Sequence, residues 1–554
     1  MRAPPKIIEV DTATIAALLE RSRGQHAVED HALYEGICQS FIALQMRIRQ
    51  QRTTISQLRR LVGTTSSEKS AHVIGGTSPG ADEKPSGAGD NDSATAPQSD
   101  GNETKAKGHG RIKAADYPNA EHVAVAHETL CTKDRCPACN RGTLYRMKEP
   151  VRFLRIFGQS PLCAVCWDCE QLRCSACGKV FTARAPAEAQ GPKFSESAAS
   201  MMALLRYGTG LPLNRLEHLQ RQLETPVPAS TQWEVALERT ADVRPVYDEL
   251  LKLAAQGTVL HNDDTFVRIL ELMGKRRSDL FKQGALDDPE RTGLFTTAVV
   301  SLSQGRPIAA FFTGRKHAGE NTAALCEQRA PDLPPPLLMS DALERNLPKD
   351  LAVIWANCLA HGRRGIVDEI ENFPPECEHI LEELALVFAV DARAKKERLS
   401  DGERLALHQK ESSPIMDRLQ KWLTTLAAEK RIEPNSGMGQ ALNYLLKRWD
   451  RFCRFLQVPG APLDNNICER ALKMAIRHRN NSLFYKTLRG AKVGDIYMTL
   501  IHTTALYREN PFEYLTALQQ NARAVAASPG DWLPWTFRDA LAGRATNDCH
   551  DSLH

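Results

Sequence analysis

The stretch GTVLHNDDTFVRILEL, from Gly257 to Leu272, marks the point where the sequence pattern changes from helical to extended. It combines a short apolar run with an acidic pair, Asp263 and Asp264. Four similar runs follow it: GLFTTAVVSL (293–302), PIAAFFTG (307–314), PPLLMSDAL (335–343) and LAVIWANCLAH (351–361). Short runs enriched in Val, Ile, Thr and Phe are typical of β-strands. The five runs therefore predict a mixed α/β domain.

Helical patterns flank these runs on both sides. Residues 186–250 and 365–457 show apolar residues at a period of about 3.6, and the segments after Asn465 and around DIYMTLIHTTALY (495–507) predict two more helices. The first helical region could hold a helix-turn-helix, with Ser230 as an N-cap. A plain helical bundle is the alternative interpretation.

Two of the predicted strands end in an acid, the first at Asp263 (TVLHND) and the fourth at Asp341 (PPLLMSD). Side chains at strand ends point into the cleft where α/β folds bind ligands. Glu469, at the start of a predicted helix, offers a third carboxylate. Hard cations prefer oxygen ligands, and two Mg²⁺ ions about 3.5–4 Å apart can clamp both oxygens of a phosphoryl displacement. The three acids therefore predict a site for two magnesium ions.

Each acid also has a simpler interpretation. Asp264 could face the site in place of Asp263, because neighbouring residues on a strand point to opposite faces. Asp341 could only cap a following helix. Glu469 could form an i,i+4 ion pair with Lys473.

A basic segment follows Glu469. From Arg470 to Gly494 the chain has seven Lys or Arg residues and no acid. This pattern predicts contact with a phosphate backbone, and a solvated basic face is the alternative. The net charge of +4 over 554 residues is too small to indicate a nucleic-acid partner by itself.

The chain has fifteen cysteines, several of them spaced two residues apart. Two C-x2-C pairs, Cys136 with Cys139 and Cys174 with Cys177, have the spacing of a structural Zn²⁺ ribbon. The intervening Cys163, Cys166 and Cys169 are left unassigned. The N-terminus lacks the apolar segment of a secretion signal and no run is long enough for a membrane span. We therefore expect a cytoplasmic protein with reduced cysteines.

Residues 31–62, within the N-terminal segment 1–63, show a heptad pattern. Phe41, Ile48, Ile55 and Val62 recur every seven residues, and Ile37, Leu44, Gln51 and Leu58 recur between them. This seam favours a parallel coiled coil and hence a homo-oligomer; a helix packed within its own chain is the alternative. The segment that follows, to about residue 115, is rich in Gly, Ser, Asp and Pro and predicts a disordered linker.

Several motifs resemble one family of transposases. DDT at Asp263, SDA at Asp341, CLAHGRR (358–364) and LDNNICERALKMAIRHRNNSLF (463–484) are similar to the motifs of the IS66 insertion-sequence family. The resemblance implies a DDE transposase whose ribonuclease-H-like core is interrupted by a helical insertion before the final Glu. By position, the family's three acids fall on Asp263, Asp341 and Glu469. The implied DNA-contacting residues are Arg363, Arg364, Arg470, Lys473, Arg477 and Arg479.

The sequence departs from the family pattern at a few places. Asp264 stands where the family has Glu, and Ala342-Leu343 stand where it has Gly-Tyr. Asn480 and Ser482 replace a Lys and a Trp. An aromatic residue at the last place could stack on a base, which Ser482 cannot do.

The predicted organisation is therefore multidomain: a coiled-coil segment (1–63), a linker (64–115), a zinc-binding domain (120–185), a helical DNA-binding region (186–250), a mixed-sheet catalytic core (251–364 and 460–523) interrupted by a helical insertion (365–459), and a tail (524–554). The predicted activity is Mg²⁺-dependent cleavage and strand transfer at terminal inverted repeats, with small accessory proteins of the same element as possible partners. Two other functions stay open at this point. One is a non-catalytic zinc-containing DNA-binding regulator, and the other is a related nuclease that cuts without joining.

Overall fold

The computed structural model describes isolated positions before residue 124, most of 124–178, and residues 179–551 except 287, 289, 350 and 430; the gaps within 124–178 are 126, 148–154, 157–158, 176 and 178. The predicted coiled coil and linker lie outside the described residues. The chain divides into two compact units, a smaller one at 79–163 and a larger one that includes 164–554.

A five-stranded mixed sheet forms the centre of the larger unit. Its strands are β3 (Val259–Phe266), β4 (Phe295–Ser303), β5 (Arg306–Gly314), β6 (Leu337–Ser340) and β7 (Ile354–Asn357), after a separate hairpin of β1 (Gln171–Arg173) and β2 (Val180–Thr182). The order across the sheet is β5-β4-β3-β6-β7. β3, β4 and β5 pair antiparallel, whereas β6 joins β3 and β7 in parallel. Each of the five predicted strands is present, so the prediction of a mixed α/β domain is confirmed.

Helices account for most of the remaining residues that the structure describes. In order they are α1 (Glu196–Ala203), α2 (Leu213–Gln222), α3 (Ala229–Glu238), α4 (Thr240–Ala255), α5 (Gly274–Lys282), α6 (Ala318–Cys326), α7 (Leu359–Val367), α8 (Pro374–Glu397), α9 (Asp401–Glu411), α10 (Ser413–Ala428), α11 (Gly437–Lys447), α12 (Trp449–Phe452), α13 (Asn466–Ser482), α14 (Leu488–Leu506), α15 (Pro511–Gln520), α16 (Ala522–Ala527) and α17 (Phe537–Asp551). Among the described residues, no helix is both long and apolar enough to cross a bilayer.

The two largest apolar cores in the described part of the larger unit lie on different halves of the sheet. One joins β4 and β5 to α4, α13, α14 and α15, with Val299, Leu250 and Leu500 fully buried. The other joins β6 and β7 to the helices between α7 and α12, with Leu381 and Leu423 fully buried. The helices that follow β7 in the sequence therefore share a core with the parallel half of the sheet.

Helix α14 covers the outer edge of β5. Three of its side chains, spaced four residues apart, accept hydrogen bonds from every second N–H of that strand. Ala309 donates to Thr503 Oγ1 at 3.2 Å, Phe311 to Thr499 Oγ1 at 3.1 Å and Thr313 to Asp495 Oδ2 at 2.8 Å. An uncovered edge strand can pair with another chain. These three polar side chains of a buried helix occupy the N–H groups of the edge strand β5 and so prevent such pairing.

Thr503→Val should therefore destabilise the protein more than Thr504→Val. Thr503 Oγ1 also donates to the Ala309 carbonyl at 3.2 Å, whereas Thr504 Oγ1 donates to Leu500 of its own helix. Both hydroxyls are fully buried. The first change leaves two strand groups unpaired, at about 1–3 kcal/mol each, and the second leaves only a carbonyl that is already bonded within its helix. Urea unfolding followed by tryptophan fluorescence would measure the difference; equal losses would contradict this role of Thr503.

Both C-x2-C pairs lie in tight turns. In the smaller unit, Cys136 N–H donates to the Gly142 carbonyl and Asn140 N–H to the Cys136 carbonyl, both at 2.8 Å. In the larger unit, Cys174 and Cys177 follow β1 and precede β2, and Cys174 N–H donates to the Lys179 carbonyl at 2.9 Å. Each pair of thiols is thus presented by the turn of a hairpin-like segment.

Candidate active site

Asp263 lies just beyond the point where the parallel pairing of β3 with β6 ends. The pairing of β3 with β6 ends at His261 and Met339, and two residues further along each chain come Asp263 and Asp341. β3 itself continues to Phe266 against β4, so Asp263 lies inside its strand and the prediction that it ends the strand was wrong by three residues. The end of the parallel pairing places the two acids at one edge of the sheet.

Asp341 is held directly after β6. Its Oδ1 accepts from Asn346 Nδ2 at 2.6 Å and from the N–H of Leu343 at 3.2 Å. Asn346 is in turn held by Asn262, whose Nδ2 donates to the Asn346 carbonyl at 2.7 Å. The capping interpretation is therefore partly correct, since Asp341 does order the turn that follows it. Both bonds use the same carboxylate oxygen.

Asp264 points to the opposite face of β3. Its side chain is 1% exposed and pairs with His317 Nδ1 and Arg345 Nη2, each at 3.2 Å. It is therefore a neutralised ion-pair partner, while its N–H donates to Asp263 Oδ1 at 2.8 Å. The strand alternation thus places the two acids on opposite faces of β3, with Asp264 held in these buried ion pairs.

Glu469 comes from the first turn of α13. Its Oε1 lies 3.6 Å from Nδ1 of His361, which is in α7. Among the described residues, the ion pairs of Glu469 do not include Lys473, in contrast to the simpler interpretation of this acid. Asp464 precedes the helix and its Oδ1 accepts from the N–H of Asn466 at 3.0 Å, as expected of a helix cap.

Asn465 connects the elements around the site. Its Nδ2 donates to the carbonyl of Asn262 in β3, its Oδ1 accepts from Nδ1 of His261, and its N–H donates to Sγ of Cys358. These three contacts measure 3.0, 3.0 and 3.2 Å. Burial lowers the pKa of His261 to about 4, so the imidazole is neutral and carries its proton on Nδ1. Asn465 thereby ties the start of α13 to β3 and to the start of α7.

Asp263 is surrounded by other negatively charged side chains. Burial raises the pKa of Asp263 to about 7, and the negative charges of Asp341, Asp264 and Glu469 act in the same direction. A hydrogen bond from the Asp264 N–H opposes this shift. The negative charges of Asp341 and Glu469 therefore act on Asp263. A binding cation would relieve this repulsion between like charges.

The basic stripe occupies one side of α13. Arg470, Lys473 and Arg477 are exposed and recur at intervals of three and four residues, which places them on one helix face. Arg479 lies elsewhere: it donates to Thr265 Oγ1 at 2.8 Å and to the Phe266 carbonyl at 3.0 Å. Of the six predicted DNA-contacting residues, Arg363 is 9% exposed and Arg364 is exposed. The face formed by Arg470, Lys473 and Arg477 is called the α13 basic face below.

The structure brings in residues that sequence reasoning had not assigned to the site. Tyr444, on α11, is close enough to Asp341 for that charge to contribute to its pKa, which is raised chiefly by burial. Cys358 and His361 meet Glu469, with their ligand atoms all within 4.8 Å of one another. The C-x2-H spacing of Cys358 and His361 was a signal for metal ligands in the sequence. No local sequence pattern indicated Tyr444.

Comparison with known proteins identifies a family. The profile described as "Transposase IS66 family" matches residues 192–493, which is more than half of the chain and includes all three acids. The chain belongs to the IS66 transposase family. The matched span runs from α1 into α14 and includes the sheet, the helices after β7 and the α13 basic face.

Curated relatives of this IS66 family member carry no functional name. The protein y4jD of Sinorhizobium fredii, described as uncharacterized, is 24% identical over 432 residues, covering 74% of this chain and 80% of the relative. Uncharacterized protein y4hP of the same organism is 25% identical over 394 residues, covering 67% and 68%. Both similarities extend well beyond a single motif.

One departure from the IS66 motif has a structural explanation. Ser482, which replaces the family's Trp at the end of α13, accepts a hydrogen bond from Arg206 and donates to the Gly210 carbonyl at 3.5 Å. Gly210 has φ +78° and lies against the backbone of Arg477 and His478. In this chain the position therefore connects α13 to the segment between α1 and α2.

Proposed function

We propose that this protein is a DDE-type transposase that binds the terminal inverted repeats of its element, cuts the DNA there and joins the released ends to target DNA. The proposal is carried by the positions of the three acids. Asp263 and Asp341 each lie two residues past the end of the β3–β6 pairing, and Glu469 lies in the first turn of α13, which packs on β3. The charges of the other two acids both act on the pKa of Asp263, and this cluster is covered by the family match.

Two Mg²⁺ ions are the proposed cofactors of these three side chains. The carboxylates are hard oxygen ligands, and their mutual repulsion is relieved when a divalent cation binds between them. Asp263, Asp341 and Glu469 would hold the ions, which supply an activated nucleophile and stabilise charge on the phosphate. The chain's own contribution is to orient these ligands: Asn346 fixes Asp341, the Asp264 N–H fixes Asp263, and Asn465 fixes the start of α13.

The sheet supports a ribonuclease-H-like core. Numbered from β3, its strands lie in the order 3-2-1-4-5, with the first three antiparallel and the last two parallel to the first. The helices from α7 to α12 lie between the last strand and the helix that carries Glu469. This arrangement supports the proposed helical insertion before the final acid.

The α13 basic face supports DNA as the substrate. It starts one residue after Glu469, so a phosphate backbone that contacts Arg470, Lys473 and Arg477 would run past the carboxylates. Arg364 and Arg479 are further proposed contacts. Arg363 is buried, so it would contact DNA only after a conformational change that exposes its side chain. Binding of terminal repeats and the number of chains in the assembly are proposed on the family resemblance and on the predicted coiled coil.

Zinc is the proposed structural ion of the two C-x2-C pairs. The turn around Cys136 and Cys139 directs the N–H groups of Gly142 and Arg141 toward the Cys139 thiol, and these hydrogen bonds lower its pKa. Thiolate is the form that binds Zn²⁺. Cys174 and Cys177 are presented by a comparable turn between β1 and β2.

The proposal is tested by a strand-joining assay. Purified protein is incubated with Mg²⁺, a labelled duplex carrying the element's end, and a supercoiled target plasmid. We expect labelled, open-circular or linear plasmid to form only with Mg²⁺ and only with the cognate end. Cleaved duplex without joined plasmid would favour a nuclease, and binding without cleavage would favour a regulator.

A further inference from the structure

Cys358, His361 and Glu469 form a second cluster of potential metal ligands beside the carboxylates. Cys358 directly follows β7 and precedes α7, His361 lies in the first turn of α7, and Glu469 comes from α13. Sγ, the imidazole nitrogen and a carboxylate oxygen all lie within 4.8 Å of one another. Three elements thus converge on a space that one ion can fill.

His361 has a nitrogen available for a ligand. Its Nδ1 is buried and has no hydrogen-bond partner within the described part of the chain. At 3.6 Å from Oε1 of Glu469, it is too far away for a hydrogen bond. A buried nitrogen without a partner is costly, and a cation between it and the carboxylate would satisfy both groups.

The donor set distinguishes this cluster from the magnesium site. One sulfur, one nitrogen and one oxygen are typical ligands of Zn²⁺, whereas Mg²⁺ avoids sulfur and prefers oxygen. Sγ of Cys358 also accepts the N–H of Asn465 at 3.2 Å, which is the kind of support that protein groups give to a metal-bound ligand. With three protein ligands, the fourth tetrahedral position would be open to water or phosphate.

We propose that Cys358, His361 and Glu469 bind one borderline divalent cation of the Zn²⁺ class, and that this ion inhibits the enzyme by withdrawing Glu469 from the magnesium pair. When the ion binds, the Cys358 thiol releases its proton to solvent and the sulfur bonds to the metal, with no change of oxidation state. The binding site stands on its own geometry, and the inhibition rests on the proposed function.

The site is tested by counting tightly bound zinc in the full-length protein after gel filtration. The paired cysteines also offer thiolates, so the quantity compared is the difference from the parent. Cys358→Ser and His361→Ala should each bind one equivalent less. Two controls should bind as much as the parent: Cys453→Ser, a buried cysteine outside the cluster, and His379→Ala, whose ring contacts that of Trp422 in a tilted arrangement.

Equal zinc contents in the parent and both cluster variants would overturn the site. Loss of zinc in the controls as well would also overturn it, since the effect would then not belong to the cluster. Because Cys358 is fully buried, the partly exposed His361 supplies the variant that is less disruptive to folding, and thermal unfolding of each protein verifies that it is folded.

The inhibition is tested separately in the DNA cleavage assay. Added Zn²⁺ should reduce Mg²⁺-dependent cleavage by the parent at least about tenfold, and the fold reduction should be smaller for His361→Ala, whatever the basal rate of that variant. The same fold reduction in both proteins would overturn the inhibitory role. If the parent never cuts DNA, the proposed function fails, while the zinc counts still decide the site.

Discussion

Asp341→Asn should slow Mg²⁺-dependent cleavage at the element's ends by roughly 10³-fold while DNA binding persists. The change keeps the shape of the side chain and an oxygen that can accept from Asn346 and Leu343, so the turn after β6 should survive. It removes one negative ligand from a cluster of three. A bound metal contributes several kcal/mol of transition-state stabilisation, so loss of about 4 kcal/mol would slow cleavage by roughly 10³-fold.

Asp332→Asn is the matched control for this change. Asp332 lies in the exposed segment before β6, and its replacement alters the net charge by the same amount. Cleavage should stay at the parent rate in this variant. Product formation on a labelled duplex and binding by gel shift are measured for all three proteins. Asp341→Asn that cuts within a few-fold of the parent would exclude the carboxylate from catalysis.

Removal of the α13 basic face should flatten the salt dependence of DNA binding. The triple change Arg470→Gln, Lys473→Gln and Arg477→Gln eliminates three exposed cations that lie on one face of the helix. Each phosphate contact contributes about 0.9 to the slope of log affinity against log salt. If all three contact phosphates, the parent should lose about 40-fold more affinity than the variant between roughly 50 and 200 mM salt.

A second triple variant separates specific contacts from net charge. Lys396, Lys410 and Lys421 are exposed on α8, α9 and α10, away from α13. Their replacement by Gln changes the net charge equally but should leave the slope close to that of the parent. Equal flattening by both triple variants would indicate a general charge effect, and no change in the α13 variant would remove this face from the DNA path.

Strand positions were predictable because they depend on local composition. The β-branched and aromatic runs at 293–302 and 307–314 became β4 and β5 with nearly the same limits. Their burial on both faces explains why they read as continuous apolar segments. The acid in each of two runs was also visible, since a charged residue next to a buried strand stands out in any sequence.

Helix ends were less predictable because their caps come from distant residues. Ser230 was expected to cap the helix after α2, but α3 begins at Ala229 with Pro228 before it. The Ala229 N–H is instead bonded at 3.0 Å to Glu217 Oε2 from α2. An acceptor twelve residues away satisfies the first N–H of the helix as well as a local hydroxyl does. No pattern in the neighbouring sequence predicts such a partner.

The sequence by itself determined the elements of this protein, its family motifs and the three acids, because propensity, periodicity and motif spacing are properties of consecutive residues. Only the tertiary structure decided how those acids are used. The register of β3 placed Asp263 and Asp264 on opposite faces of the strand, with Asp264 paired to Arg345. Hydrogen bonds between the start of α7 and the segment before α13 brought Cys358 and His361 to Glu469. Such contacts join residues more than eighty positions apart, and their energies depend on burial and on neighbouring charges that exist only once the chain has folded.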